Sequence, residues 1–512
     1  MPLKNVPDSE TYHGFFPAKY VANYLKTYVD SRVYDGQSLA TRLRLNSRVR
    51  CLSRTEQGWE LHVEELSEKA DRTTSYTAQR VIDATGLTST PNMPVIEGFN
   101  VYTGEVIHSK DFAANQQLFF ESETAQNVVI VGGAKSAADI AYACAQAGKQ
   151  VDWIIRRSGA GPAAFVAAKG KGPYKNSNES FYTRFTTHFL ASWFFDESKT
   201  WLGRFLYRTR IGQLVLTRLW KSINRGAQAL ADYDRKDGKG KGFYNLKPDT
   251  GLFWQNDSTG VCQRDDFFDI IARNVKVYRE DIKEMTRDGL ELADETRISA
   301  DAIVFATGWR TSHPSIRLAQ GDKDLRLQLG LSSSGSDRNA VQARWEDLEA
   351  MYEGKILKRF PVLRDPPMYR RDRSSNSTPL RLYKGVLPIQ DRSIAFLGQM
   401  LLGNNFRSAE VQSLYAIAAF DGNLILPSEQ DIEKSIAEMV TWDRLRYLAK
   451  GRSGNWLYWD MVPYTDNLLD ELGLQSHRHT SYWKDLFAPS FSRDLRGLID
   501  EYRIKHESRS TG

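Results

Sequence analysis

The stretch VVIVGGAKSAADIA, residues 128–141, carries the residue types that can grip a phosphate bridge. An apolar run, NVVIV at 127–131, leads into Gly132 and Gly133, and a run of small residues extends from Ser136 to Gly148. A pyrophosphate needs backbone free of side chains where it makes contact. It also needs unpaired N–H groups at a helix N-terminus, where the helix dipole favours an anion. Gly132 supplies the tight turn. Gly133, Ala134, Lys135, Ser136 and Ala137 are the candidates for the rest of the cradle, with Ala134 and Ala137 standing where Gly-x-Gly-x-x-Gly has its second and third glycines. The elements that must position them are also legible. Residues 127–131 read as a buried strand, 136–148 as a helix closed by Gly148, and VDWII at 151–155 as a second buried strand. An ordinary α/β crossover is the competing reading.

The end of the second strand bears on which dinucleotide is held. NAD calls for an acidic residue there, to accept from the ribose 2′-hydroxyl. Arg156 and Arg157 stand in that place. A guanidinium grips a 2′-phosphate and an acid would repel it, so the residues favour NADP(H), with two solvated arginines as the alternative.

Two further segments share a design. RVIDATGLTSTPNMP (80–94) and DAIVFATGWRTSHP (301–314) are each an apolar strand ending in Ala-Thr-Gly with proline soon after. Thr85, Gly86, Thr307 and Gly308 are therefore candidates for backbone turns beside a nucleotide. Between the two lies VYTGEVIHSKDF (101–112), with Tyr102, Gly104, His108 and Phe112 spaced as aromatic-x-Gly-x-x-x-His-x-x-x-Phe.

That spacing, between an Ala-Thr-Gly strand and a nucleotide turn, resembles the fingerprint of the flavin-containing monooxygenases. In their Baeyer–Villiger relatives the last position is typically tryptophan followed by proline or aspartate. Phe112 followed by Ala113 favours the hydroxylating branch, with Baeyer–Villiger oxidation as the runner-up. The resemblance continues in FFPAKYVANYLKTYVD (15–30), in RLNSRVRCLSRTEQGWELHVEE (44–65), in SIAFLGQ (393–399) and in Glu410 and Gln412 of AEVQSLYAIAAF. It implies an α/β fold with two dinucleotide-binding domains, the NADPH domain inserted in the FAD domain. It implies FAD and NADP(H) as cofactors, hydride passing from one to the other, and one oxygen atom of O2 going to a small molecule. It places Gly104 in the fingerprint near the cofactor, Gly398 and Gln399 near the flavin, and gives His108 the coupling of domain movement to cofactor binding. The chemistry belongs to the cofactors, so no nucleophile–base pair is needed.

One family element is missing. Before Gly86 the only glycines are Gly14, Gly36 and Gly58, and no strand–glycine–helix unit for the FAD pyrophosphate can be read there. The expected organisation is an incomplete first part of the FAD domain at 1–122, an NADPH domain at 123–308 with a helical insertion at about 160–250, a second FAD part at 309–425 and a helical, aromatic-rich tail at 426–512. Three accounts of the missing unit stand open: a start wrongly assigned or a fragment, a unit supplied by another chain, or a flavin-free NADPH-binding remnant without monooxygenase activity.

The insertion holds FYTRFTTHFLASWFF (181–195) and WLGRFLYRTRIGQLVLTRLWKSINR (201–225), the second with six basic residues and no acid. It reads as helices packed on the core, as a substrate lid with an apolar inner face, or as a surface resting on anionic lipid. A lid of this kind hints at a lipophilic substrate and at specialised metabolism. RKDGKGKG (235–242) and SSSGSDRN (332–339) read as flexible loops.

Composition narrows the classes. The 512 residues carry a net charge of +6, too small to argue for nucleic acid. Three separated cysteines, Cys51, Cys144 and Cys262, suit neither a disulfide framework nor a zinc site, and the scattered histidines suggest no metal. The N-terminus lacks a secretory apolar region, and no apolar run reaches the ~18 residues of a membrane span, so a cytoplasmic protein is expected, with peripheral membrane contact through 181–225 as an addition.

Overall fold

Strand Asn127–Val131 is apolar on both sides, which suits only the middle of a parallel sheet covered on both faces, and that is where it lies. The structure, a computed structural model, describes residues 6–66, 72–254, 261–310, 323–331, 337–367 and 378–510. Helix α1 (Ala18–Ser31) leads into an antiparallel meander of β1 (Ser47–Thr55), β2 (Gly58–Glu65) and β3 (Arg72–Ala78), the first two joined by a turn at Glu56-Gln57. The first Ala-Thr-Gly segment is β4 (Val81–Asp83), and the fingerprint supplies β5 (Glu105–His108).

The nucleotide-type unit follows as β6 (Asn127–Val131), α2 (Lys135–Gln146) and β7 (Gln150–Ile154), the strands within a residue of the expected bounds and the helix ending two residues before Gly148. The insertion contributes α3 (Trp201–Arg208) and α4 (Arg210–Ala231). Helix α5 (Phe267–Asn274) then returns the chain to β8 (Val275–Tyr278). A second meander, β9 (Ile282–Thr286), β10 (Gly289–Leu292) and β11 (Arg297–Ser299), precedes the second Ala-Thr-Gly strand, β12 (Ala302–Phe305). The remaining elements are α6 (Asp337–Arg359), β13 (Ile394–Phe396), α7 (Asn405–Phe420), α8 (Glu429–Arg446), α9 (Met461–Glu471) and α10 (Leu498–Ser510).

Five strands form one parallel sheet in the order β8-β7-β6-β12-β5. The chain steps outward from β6 through β7 to β8, then returns on the opposite flank of β6 as β12. The order therefore reverses between β6 and β12, and in open α/β sheets that reversal opens the crevice in which ligands bind. One face of the sheet is covered by α2, whose Ala137, Ala138, Ala141 and Ala145 pack on Val128 and Ile130. The other is covered by β9–β11, with Met285, Leu290 and Leu292 against Val129, Val131 and Phe305. Small residues along α2 let the helix sit close, so the amides at its start lie at the strand ends.

Strands β4 and β13 pair in parallel, Asp83 opposite Phe396. Around them lies the largest core, which also takes in residues of the insertion and of the tail. The aromatic content of 181–195 goes largely into this packing: Trp193 lies against Trp442 and Phe181 against Trp459, while Leu190 and Ala191 are buried. That segment is short turns rather than a lid helix, and its aromatic rings meet residues of the tail. A buried ionic network seals the same junction, Arg184 gripping Asp466 through Nε and Nη2 at 2.9 Å each, and Arg407 reaching Asp466 at 3.2 Å.

The loop 235–242 is not loose. A 3-10 turn spans Lys236–Lys241, Gly238 is buried under Phe243, and Arg235 pairs with Asp237 and Asp269 at 2.7 Å. The glycines that suggested mobility serve close packing instead. The other expected loop lies partly outside the described residues, at 332–336, and α6 begins at Asp337. Among the described residues no helix is long and apolar enough to cross a membrane, and no cluster of three metal-ligating side chains occurs.

Candidate nucleotide-binding site

The cradle forms where β6 gives way to α2. Gly132 has φ 144°, and a Cβ there would collide with the carbonyl oxygen of Ala306, the alanine of the second Ala-Thr-Gly turn. Only glycine lets β6 and β12 close up at the sheet's reversal point. Gly133 is equally confined, since a Cβ on it would lie 2.6 Å from the Gly161 carbonyl, and its own carbonyl accepts from Ala163 N at 2.7 Å. Ala134 occupies the N-cap of α2 without a side-chain cap. The N–H groups of Lys135, Ser136 and Ala137 therefore have no acceptor among the described residues. Uncapped amides at a helix start, beside side-chain-free backbone, fit a pyrophosphate. The Lys135 ammonium is engaged elsewhere, on Asp139 at 2.5 Å, so this residue offers its backbone to the cradle rather than its charge. Ser136 is exposed and Ala137 buried against the sheet.

The two arginines after β7 differ. Arg157 pairs with Glu280 at 3.2 Å, whereas Arg156 is exposed and makes no ion pair among the described residues. Arg156 is thus the cation available to a 2′-phosphate.

The two Ala-Thr-Gly turns meet each other. Asn92 N donates to Gly308 O at 3.0 Å, Thr307 Oγ1 donates to Asn92 O at 2.6 Å, and Pro91 bridges Trp309. His108 joins them from the end of β5. It is 3% exposed, its Nδ1 accepts from Lys110 N at 3.1 Å, and its Nε2 lies 3.0 Å from Gly308 O. An Nδ1 that accepts leaves the proton on Nε2, so Nε2 donates to that carbonyl. Burial lowers the imidazole pKa below 6.5, opposed by the Gly308 hydrogen bond. The ring also meets Trp309 edge-on at 5.3 Å.

Gly104 does not belong to this cluster. It immediately precedes β5, whereas the cradle lies at the strands' C-terminal ends, four residues and ~13 Å of strand away. A Cβ on Gly104 would strike the Tyr102 ring and Asp301 backbone, so the glycine serves packing. Phe112 packs against Phe119 at 4.8 Å, inside the core beside α2.

A second polar focus lies at the ends of β4 and β13. Gly86 and Gly398 both have positive φ, and a Cβ on Gly398 would come within 3.7 Å of Gly86 Cα. Thr85 donates to Asp83 Oδ1 through N and Oγ1, at 2.9 and 2.6 Å. The other oxygen, Asp83 Oδ2, and both amide atoms of the fully buried Gln399 have no hydrogen-bond partner among the described residues. Orphaned buried polar atoms call for a ligand that donates and accepts, and a flavin with its ribityl chain does both. Gln412 holds the turn: its Oε1 accepts from Gly398 N at 3.0 Å and its Nε2 donates to Tyr464 at 2.8 Å. Among the described residues no parallel strand precedes Val81, and no second glycine cradle for a pyrophosphate accompanies this focus. Ala306, Asn92, Asp83 and Gly161 were not singled out from the sequence. Asp83 and Ala306 belong to quoted strands, while Gly161 acts only through a fold-dependent contact.

The Pyridine nucleotide-disulphide oxidoreductase family matches residues 19–166, which end just past the cradle. The FAD-dependent monooxygenase rstn6 of Aspergillus nomiae is 28% identical over 96% of this chain and 85% of its own length. The FAD-dependent monooxygenase DEP4 of Alternaria brassicicola is 27% identical over 96% and 82%. Among solved structures, cyclohexanone monooxygenase from Rhodococcus sp. Phi1 bound to NADP+ superposes with a TM-score of 0.52 at 15% identity, covering 89% of this chain and 82% of that one. At that identity the likeness speaks for the fold. The similarity to the fungal FAD-dependent monooxygenases runs nearly end to end, and the fold is like that of the cyclohexanone monooxygenase structure.

Proposed function

We propose that the chain is a flavin-dependent monooxygenase, using FAD, NADPH and O2 to insert one oxygen atom into a lipophilic small molecule in specialised metabolism. The observation that carries this reading is the junction of Gly132 with Ala306 at the sheet reversal, with the free amides of Lys135, Ser136 and Ala137 beside it. When bound, the nicotinamide supplies a hydride and the flavin activates oxygen. The chain's own residues hold and shield. Gly132, Gly133 and the first amides of α2 take the NADP pyrophosphate, and Arg156 takes the 2′-phosphate. Gly86, Gly398, Gln399 and Asp83 Oδ2 face the flavin, and His108 keeps the turn at Gly308 in place. Phe112 followed by Ala113 supports the hydroxylating branch. The lipophilic substrate rests on the apolar insertion, and since 181–195 is engaged in packing, α3 and α4 are the part that still argues for it. A cytoplasmic location belongs to the same proposal.

The visible spectrum of the purified protein tests this. A flavin band near ~450 nm that bleaches with NADPH and returns in air is expected. A colourless protein that still binds NADPH would leave the flavin-free reading standing, and one that binds neither would overturn both.

A further inference from the structure

The 22-residue helix α4 carries two faces of different kinds. Gly212, Leu216, Trp220 and Ala231 are buried. On the opposite side Ile211, Leu214 and Val215 are 68%, 48% and 43% exposed. Continuing that outward stripe at helical spacing stand Arg218, Lys221, Ser222 and Arg225, all exposed. The helix contains no acidic residue, and Arg210, Arg218, Lys221 and Arg225 make no ion pair among the described residues. Trp201, at the start of the preceding α3, is 72% exposed. A solvated basic face would not carry three neighbouring large aliphatic residues. An apolar docking site for another protein would not normally carry three cations without ion pairs, Arg218, Lys221 and Arg225, along the same stripe. Bulky apolar side chains interleaved with unpaired cations on one helix match an interface whose outer layer is anionic and whose inner layer is apolar.

We propose that the outward face of α4 docks on an anionic lipid surface, with Ile211, Leu214 and Val215 entering the headgroup–acyl boundary and Arg218, Lys221 and Arg225 lying against the headgroups. The charges are complementary, and the helix axis lies parallel to the membrane plane. This does not depend on the cofactor reading, and it gives the protein access to substrates that dissolve in lipid.

Sedimentation of the full chain with vesicles tests it. One set is phosphatidylcholine alone and the other contains ~30% phosphatidylserine. Binding is expected only to the second set, falling steeply as salt rises from ~0.1 to ~0.5 M. Arg218→Gln with Lys221→Gln should reduce it roughly tenfold. Ile211→Ser with Leu214→Ser should reduce it at low salt as well. These sites are exposed, so the thermal midpoint should hold. Should either pair fail to fold, the salt series on the unaltered chain decides. Equal binding to both vesicle sets, no binding to either, or binding that both variants retain would overturn the proposal. So would a concentration-dependent dimer abolished by the same serine variants, since that would assign the face to a second copy.

Discussion

His108 Nε2 donates to the carbonyl oxygen of Gly308 at 3.0 Å, across 200 residues of sequence. The bond ties the end of β5 to the second Ala-Thr-Gly turn, whose amide partner Asn92 comes from the first. The imidazole works in its neutral form. Its folded pKa is depressed, so its contribution to stability is full above the unfolded value of about 6.5 and is lost as pH falls through the folded value. His108→Gln should therefore flatten the pH dependence of the thermal midpoint as pH falls below about 6.5. His108→Ala, which leaves the carbonyl short of a donor, should cost about 1–3 kcal/mol in chemical denaturation at pH 8.

Gly132 and Gly308 make a contrasting pair. Both have positive φ, but a Cβ on Gly132 meets the Ala306 carbonyl, whereas one on Gly308 meets open space. Gly308→Ala should carry only the ~1–2 kcal/mol strain of left-handed backbone. Gly132→Ala should lower the thermal midpoint further and abolish NADPH binding in a fluorescence titration.

Arg156 makes no ion pair among the described residues, while Arg157 is held by Glu280. Arg156→Glu should raise the Kd for NADPH at least tenfold, about 1.4 kcal/mol, and leave that for NADH little changed. Arg157→Ala should do much less. Equal losses for the two would place the 2′-phosphate elsewhere.

Gln412 bridges Gly398 N and the Tyr464 hydroxyl from a buried position. Gln412→Leu leaves Gly398 N without its acceptor, at a cost of about 1–3 kcal/mol, and removes the donor to the Tyr464 hydroxyl, which keeps its bond to the Lys384 carbonyl. The flavin-to-protein absorbance ratio after gel filtration should fall, and Gln412→Glu should not restore it, since a carboxylate cannot donate to Tyr464.

Arg184 forms a bidentate pair with Asp466, both nearly buried. Removing one partner strands a charge and typically costs about 3–5 kcal/mol. Arg184→Met should destabilise by that order, and adding Asp466→Asn should cost less than the sum of the two single changes.

Local pattern carried the reading from Asn127 to Ile154, because an apolar run, a double glycine and a small-residue helix each constrain backbone without reference to the rest of the chain. Gly104 was misplaced for the opposite reason. It is close to His108 in sequence, but a strand carries its two ends to opposite edges of a sheet. The loop 235–242 was read as mobile from its glycines; Asp237 is in the loop itself, but Asp269, the second carboxylate on Arg235, is brought there only once α5 is in place. The aromatic run at 181–195 gave no sign of its partners, Trp442 and Trp459, because they lie in the distant tail.

Strands β7 and β8 are adjacent in the sheet, Ile154 beside Tyr278, so the long excursion between them departs and returns along one flank, and it touches the cradle through Gly161 and Ala163. Its first half is nonetheless fastened to the tail by Arg184 and Trp193. Insertion and tail are therefore a matched set: a chimera exchanging one without the other would break the Arg184–Asp466 pair, leaving Asp466 to Arg407 alone, and part Trp193 from Trp442, and lineages that diversify this region must remodel both together.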